Sequence, residues 1–520
     1  MCKLCDQGIP QNHSSSRRDF LKASAATGVA AAGLDLFAAR PAAADSGGPP
    51  KDSGRPGQRY VIRDGAVMSM DPAIGDFPRA DVLIEGKKIL DVGPNIRVHG
   101  VSEIDARGKI VMPGFIDTHH HQFETALRSF LADGLLFNDG LPHGAINYFQ
   151  YILGTFAGVY RPRDVYTSEL VGSLSQLDAG VTTSHDISQI HYTQQHSDAA
   201  IKGSADSGRR IVFGYFEGAR ADLQGSPPGA TYPTDARRIK KKFFSSSDQL
   251  MTMTMGGEIY LQPQPDIYTQ AWKIGRELQI PVAAHIVGSF GMQPEFDAIA
   301  TGQRAVRFGP DNLFIHMTGM SDVGWRAVRD AGARVSLAVP IEMNMRHGMP
   351  PILKTLEMGI EPSLSVDVEV TLTADMFTQM RTAMALQKAL VNQMALDSGS
   401  PSGLPALLTT RDVLRFATMQ GAKALKLDGK VGSLTPGKEA DIIILDAEAL
   451  NVMPLNVVPG AVVSLMDRSN VETVIVAGKV RKWQGTLLDV DLRRLREDLE
   501  QSRDYLFSAA GIPQDVFRPN

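Results

Sequence analysis

The chain has 520 residues, with 53 Lys+Arg against 57 Asp+Glu for a formal net charge of −4, and is 43% apolar and 21% charged. This is ordinary globular composition, which excludes a disordered or fibrous chain, and the near-neutral balance gives no electrostatic reason for a nucleic acid or anionic membrane partner. At about 150 residues per domain the length requires more than one folding unit, unless a large barrel carries most of it.

Residues 1–44 read as a removable export signal. Ser16-Arg17-Arg18-Asp19-Phe20-Leu21-Lys22 has the form of a twin-arginine signal, a weakly apolar stretch runs from Ala23 to Leu34, and Ala42-Ala43-Ala44 offers the small residues a signal peptidase needs. The twin-arginine translocation machinery is therefore an expected partner, and the mature protein is expected in the periplasm or the extracellular medium. Both cysteines, Cys2 and Cys5, lie in this segment and leave with it. No other stretch reaches about 18 uninterrupted apolar residues, so no membrane span is expected.

Residues 45–58, rich in Gly, Pro, Ser and Asp, read as a linker. Short alternating or apolar runs then predict β-structure over 59–112: Tyr60–Ile62, Ala66–Met68, Asp81–Ile84, Lys88–Val92 and Lys109–Met112. Similar runs return in 425–485, at Asp441–Leu445, Ala461–Leu465 and Val471–Val476. Neither set buries a core comfortably alone, so both chain ends are expected to build one flanking β-sandwich, with residues 113–424 inserted as a separate domain.

The insert is of the α/β class. Its candidate strands are Val111–Asp117, Ala179–Ser184, Arg210–Phe216, Leu250–Met255, Pro281–His285, Asn312–His316, Arg334–Val339 and Pro362–Asp367. They are short and nearly continuously apolar, as strands buried on both faces are, and amphipathic stretches such as Tyr268–Leu278 and Val323–Ala331 separate them. Eight such repeats predict a (β/α)8 TIM barrel. Residues 486–520 read as a charged, solvated C-terminal helix, over 487–509, and a tail.

Histidine is scarce, 12 in 520, and its placement is informative. His119, His121, His185, His285 and His316 fall at or just past the C-terminal ends of predicted strands, where a barrel builds its active face. In extended chain residues i and i+2 point the same way, so His119 and His121 can face the axis together while His120 faces away. With His285 and Asp367 they offer three nitrogens and a carboxylate, a set for one divalent metal, zinc first and iron second, that leaves a position open.

These segments resemble the amidohydrolase superfamily. Met112-Pro113-Gly114-Phe115-Ile116-Asp117-Thr118-His119-His120-His121 is similar to its opening signature and Pro281-Val282-Ala283-Ala284-His285 to its fifth-strand motif. The segments from Leu313 to Asp322, from Leu364 to Asp367 and from Gly432 to Asp441 resemble its later ones. The closest flavour is the branch of cytosine deaminase, triazine hydrolases and adenosine-type deaminases. The resemblance implies a barrel with a flanking β-sandwich and metal-dependent hydrolysis of a small-molecule substrate.

Two departures refine this expectation. Binuclear members carry a carboxylated lysine on the fourth strand, whereas Leu250–Met255 has none, which favours one metal. The deaminase-like branch carries His-x-x-Glu on the fifth strand, whereas this chain reads His285-Ile286-Val287-Gly288. Gly288 cannot transfer a proton. The expected reaction is therefore attack of an activated water on an amide, urea, carbamate or amidine-type carbon. Asp367 accepts the water's proton and returns it to the leaving amine, and His316 stabilises the attacking oxygen and the oxyanion. Glu342 is the best substitute carboxylate, ahead of Glu217 and Glu258. His185 and His191, with Asp186, are candidate pocket-wall groups, and His143 and His347 lie in Gly/Pro-containing loops that could cover the mouth. Deamination of a nucleobase-like or triazine-like ring is the alternative, and an exported metal- or ligand-binding protein without catalysis is the third reading. Self-association is left open.

Overall fold

A computed structural model describes residues 48–218, 231–259 and 265–517. The export signal of residues 1–44, with both cysteines, lies outside the described residues. Two sheets organise the rest.

The outer sheet takes strands from both chain ends. From the N-terminal side come β1 (Arg59–Met68), β2 (Asp76–Glu85), β3 (Lys88–Gly93), β4 (Ser102–Asp105) and β5 (Lys109–Pro113). The barrel is β6 (Phe115–His120), β7 (Val181–Ser188), β8 (Arg210–Tyr215), β9 (Met251–Gly256), β10 (Val282–Val287), β11 (Asn312–Thr318), β12 (Arg334–Leu337) and β13 (Ser363–Leu364). The chain then returns to the outer sheet as β14 (Ile442–Asp446), β15 (Val471–Val476), β16 (Lys479–Trp483) and β17 (Thr486–Leu487). The seam joining the two ends is antiparallel: β14 lies on β5, with Ile444 opposite Val111.

Side-chain alternation gives this sheet two buried faces. Ile442 and Ile444 join Tyr60, Ile62, Val82 and Ile84 in a core of the sheet's own, while Ile443 and Leu445 join the large core that includes the barrel. Ion pairs add polar links between the two parts, the first of them buried. Arg210, at the start of β8, holds Asp441 through Nε at 2.8 Å and Glu439 through Nη2 at 2.7 Å. Lys482 on β16 meets Asp178, the last residue of the helix Pro162–Asp178, at 2.8 Å.

The eight barrel strands are parallel and follow chain order. Every residue of β7 and β8 is buried, the expected consequence of apolar packing on both faces. The ring closes just beyond β13, where the Asp367 N–H donates to the His119 carbonyl and the His121 N–H to the Asp367 carbonyl, each at 2.9 Å. The last link of the barrel is therefore made by residues expected to hold the metal.

Four expectations are corrected. The single first strand Val111–Asp117 is two strands, β5 and β6, parted at Gly114, where a Cβ would lie 2.2 Å from the Thr182 side chain. The eighth strand shrinks to two residues. Ala461–Leu465, read as strand-like, falls largely in the helix Val458–Ser464. A five-residue apolar run does not fix its own period, and Pro459 presets a helical first turn. The C-terminal helix Leu492–Ala510 is not wholly solvated: Leu506 is buried, and Phe507 packs edge-on to Phe130.

Candidate metal centre and pocket

His119 and His121 come from the end of β6, His285 from β10, His316 from β11, and Asp367 from the turn after β13. Asp117 joins the first to the last. Its Oδ1 accepts the backbone N–H groups of His119 and Val366, both at 3.1 Å, so one buried carboxylate sets the register of both ligand-bearing segments. Behind Asp367, Glu369 receives a two-point contact from Arg128, at 3.0 Å to Nε and 2.9 Å to Nη2. His316 and Asp367 have φ of 72° and 70°, left-handed values that non-glycine residues adopt only when the surroundings hold them.

The ring nitrogens converge. His119 Nε2 is 2.9 Å from His121 Nε2 and 3.0 Å from His285 Nε2, while Asp367 Oδ1 is 3.5 Å from the Nε2 atoms of both His119 and His121. Two nitrogen ligands of a tetrahedral zinc with bonds of about 2.0–2.1 Å lie about 3.3 Å apart, so the spacing fits. Burial pushes His119, His121 and His316 well below the ordinary imidazole range, which leaves them neutral as ligands must be. Burial likewise pushes Asp367 up to about 7, and its Oδ2 has no hydrogen-bond partner. A buried carboxylate beside the neutral imidazoles of His119, His121 and His316 is poorly compensated, and a divalent cation supplies counter-charge.

Two carboxylates orient the histidines of this cage. Glu258, two residues past β9, accepts the Nδ1–H of His285 at 2.7 Å and its backbone N–H at 3.2 Å. Burial lowers the His285 pKa, but the Glu258 carboxylate outweighs it and the net shift is upward. Glu342 accepts the Nδ1–H of His316 at 3.1 Å and the Ala338 N–H at 2.9 Å. Both contacts leave Nε2 of the histidine facing the cage with its lone pair.

The cage opens into a cavity of about 130 Å³ walled by Leu136, Tyr148, Phe149, Leu153, Phe290 and Met345, with Gln189, Glu217, Glu258 and His347 as polar points. Glu342 stands behind His316 and is not on this wall. His185 and His191 are buried and fully paired. His185 donates to the Thr118 carbonyl at 3.0 Å and accepts from Thr254 Oγ1 at 2.7 Å, and His191 is bonded to the Ser188 carbonyl and Ser197 Oγ. His120 is turned away from the cage, its Nε2 4.0 Å from Glu369. Tyr148, which the sequence did not single out, donates to the buried Glu124 at 2.6 Å. Its only sequence signal is an aromatic residue in the long connection after β6.

Gly288, where the related branch carries its glutamate, has no room for a side chain. A Cβ there would lie 2.7 Å from the Thr318 carbonyl oxygen and 2.8 Å from Gly319 Cα, both backbone atoms.

Residues 110–481 match the model of the amidohydrolase family, and residues 14–33 match the twin-arginine translocation pathway signal sequence. The chain is 26% identical over 458 residues to the 5'-deoxyadenosine deaminase of Methanosarcina mazei, covering 86% of this chain and 98% of that one. It is 24% identical to the 5-methylthioadenosine/S-adenosylhomocysteine deaminase of Acetivibrio thermocellus, covering 76% and 87%. Among solved structures, the zinc-bound adenosine deaminase of Xanthomonas campestris superposes with a TM-score of 0.71 at 20% identity, over 88% of this chain and all of the other. The zinc complex of atrazine chlorohydrolase from Arthrobacter aurescens TC1 gives 0.70 at 18%, over 85% and all of the other. No helix among the described residues is long and apolar enough to cross a membrane. The chain belongs to the amidohydrolase family and is a metal-dependent hydrolase of carbon–nitrogen bonds, made with a twin-arginine export signal.

Proposed function

We propose that the protein, outside the cytoplasm, hydrolyses an amide, urea, carbamate or amidine-type C–N bond in a small, largely apolar molecule, using one zinc ion held by His119, His121, His285 and Asp367. The observation that carries the choice of bond is Gly288: backbone atoms fill the space a side chain would need there. A ring nitrogen undergoing deamination has to be protonated, whereas an open-chain amide requires a proton only at the departing amine.

When bound, the cation supplies Lewis acidity and makes water acidic enough to react near neutral pH. Asp367 Oδ2 and His316 Nε2 lie 3.5 Å apart and flank the place of attack. Because Nδ1 of His316 donates to Glu342, Nε2 is an acceptor, so His316 orients the attacking water by accepting one of its O–H groups. Asp367 receives the water's proton. The C–O bond forms, the C–N bond breaks, and that proton leaves on the amine. Glu342 acts through His316 as a positioning residue.

One observation favours ring deamination as a second reading: the curated relatives named above are deaminases, and the chain spans nearly the whole of the first. Incubating zinc-loaded protein with amides, ureas, purines and pyrimidines, and assaying ammonia and organic amine separately, decides between them. Release of organic amine supports the proposal, and ammonia from a ring overturns it. Full turnover in Asp367→Ala with zinc retained would remove the assigned ligand set.

A further inference from the structure

His347 stands apart from the other pocket residues. It lies on the cavity wall, is 4% exposed, and neither ring nitrogen has a hydrogen-bond partner among the described residues. Leaving a buried imidazole unpaired is costly, and His185, His191 and His196 each have both nitrogens bonded. His120 is likewise unpaired at both nitrogens, but it is turned away from the cage, so His347 is the unpaired histidine on the cavity wall. The ring of His347 stands edge-on to that of His316, with centroids 4.5 Å apart, so it is beside the place of attack.

The loop that carries it is built to hold it there. Arg346 and Gly348 on either side have φ of 58° and 127°, and the Thr318 hydroxyl donates to the His347 carbonyl at 2.9 Å. Arg346 pairs with Asp139 at 2.6 Å. A strained, anchored loop that presents an unpaired imidazole to a cavity implies a partner arriving from the cavity.

We propose that His347 is a substrate-contacting residue: one of its ring nitrogens accepts the N–H of the scissile amide, selecting substrates whose leaving nitrogen carries a hydrogen over those fully substituted at nitrogen. The inference rests on the amide-hydrolase reading. The walls of Leu136, Phe149, Leu153 and Phe290 are uncharged and place an aryl or alkyl body beside that contact. The substrate class is thus a secondary amide, anilide or N–H carbamate with an apolar substituent. A site whose polar group is matched by a substrate N–H rejects the analogue lacking it, because that group is then left unpaired.

The test uses zinc-loaded protein from residue 45 onward, with acetanilide and N-methylacetanilide as the probe pair. Wild type is expected to favour acetanilide in kcat/KM by about 10- to 100-fold. His347→Ala should bring the two within about threefold, with zinc content and Tm unchanged, and His347→Gln, which keeps an acceptor, should restore part of the preference. A merely structural histidine would lower both rates together and leave their ratio intact, which would overturn the proposal. If neither anilide is turned over by wild type, the amide-hydrolase reading fails on its own. The His347 contact is then read from equilibrium binding of the same two anilides, where an unchanged affinity ratio in His347→Ala overturns it and a collapsed ratio supports it.

Discussion

Glu258 allows the sharpest quantitative test of how the metal cage is held. Its Oε1 lies 2.7 Å from Nδ1 of His285, the length of a charge-assisted hydrogen bond, and Oε2 takes the backbone N–H of the same residue at 3.2 Å. The carboxylate therefore fixes the tautomer, turns Nε2 toward His119, and raises the basicity of the ring. Glu258→Gln keeps an acceptor and the shape but removes the charge. It should weaken zinc binding about tenfold, or about 1.4 kcal/mol. Glu258→Ala also leaves a buried Nδ1–H unpaired, and the loss should approach 100-fold, about 2.7 kcal/mol. Competition with a chromophoric chelator reads the dissociation constant directly, and circular dichroism of the metal-free proteins checks that the fold is retained. A zinc affinity in Glu258→Ala within twofold of wild type would refute the reasoning, since His285 would then be oriented without its carboxylate.

Two further outcomes concern stability away from the metal. Arg210 is buried between Glu439 and Asp441 at the end of the barrel opposite the cage, so Arg210→Met strands two buried carboxylates. It should cost about 3–5 kcal/mol in chemical denaturation while leaving kcat per bound zinc unchanged, and a loss below about 1 kcal/mol would argue against that clamp. Burial raises the Asp178 pKa, but Lys482 and Arg468 outweigh it and the net shift is downward. A depressed carboxylate contributes stability above its unfolded pKa that is lost as pH falls through the folded value. The stability gap between wild type and Asp178→Asn should therefore be full near neutrality and close below about pH 4, and a gap that widens with acid would contradict the assignment.

Much of this molecule is written locally. A short apolar run followed by His-x-His, and single His, His and Asp residues closing later runs, locate a barrel rim and its ligands, because a parallel strand buried on both faces has a composition no surface element shares. The twin-arginine segment is equally local, a signal read from order and charge rather than from folding. The two-ended outer sheet was legible because neither set of strands could bury a core alone.

Contacts between residues distant in the chain were not legible, and they decide the chemistry. Glu258, Glu342 and Glu217 are alike as sequence, each an acid following a predicted strand. Only the folded chain makes the first the partner of His285, the second the partner of His316, and the third a point on the cavity wall. His185 and His347 look interchangeable until packing pairs every nitrogen of one and none of the other. The glycine at 288 announces a missing group in the sequence, but the carbonyl of Thr318 lying across it is a fact of tertiary structure. Residue type sets what a side chain is able to bond, whereas its actual partners depend on distances of a few ångströms between segments far apart along the chain. For that reason the convergence of His119, His121, His285 and Asp367 could be anticipated from the sequence, and the carboxylates bonded to the histidines could not.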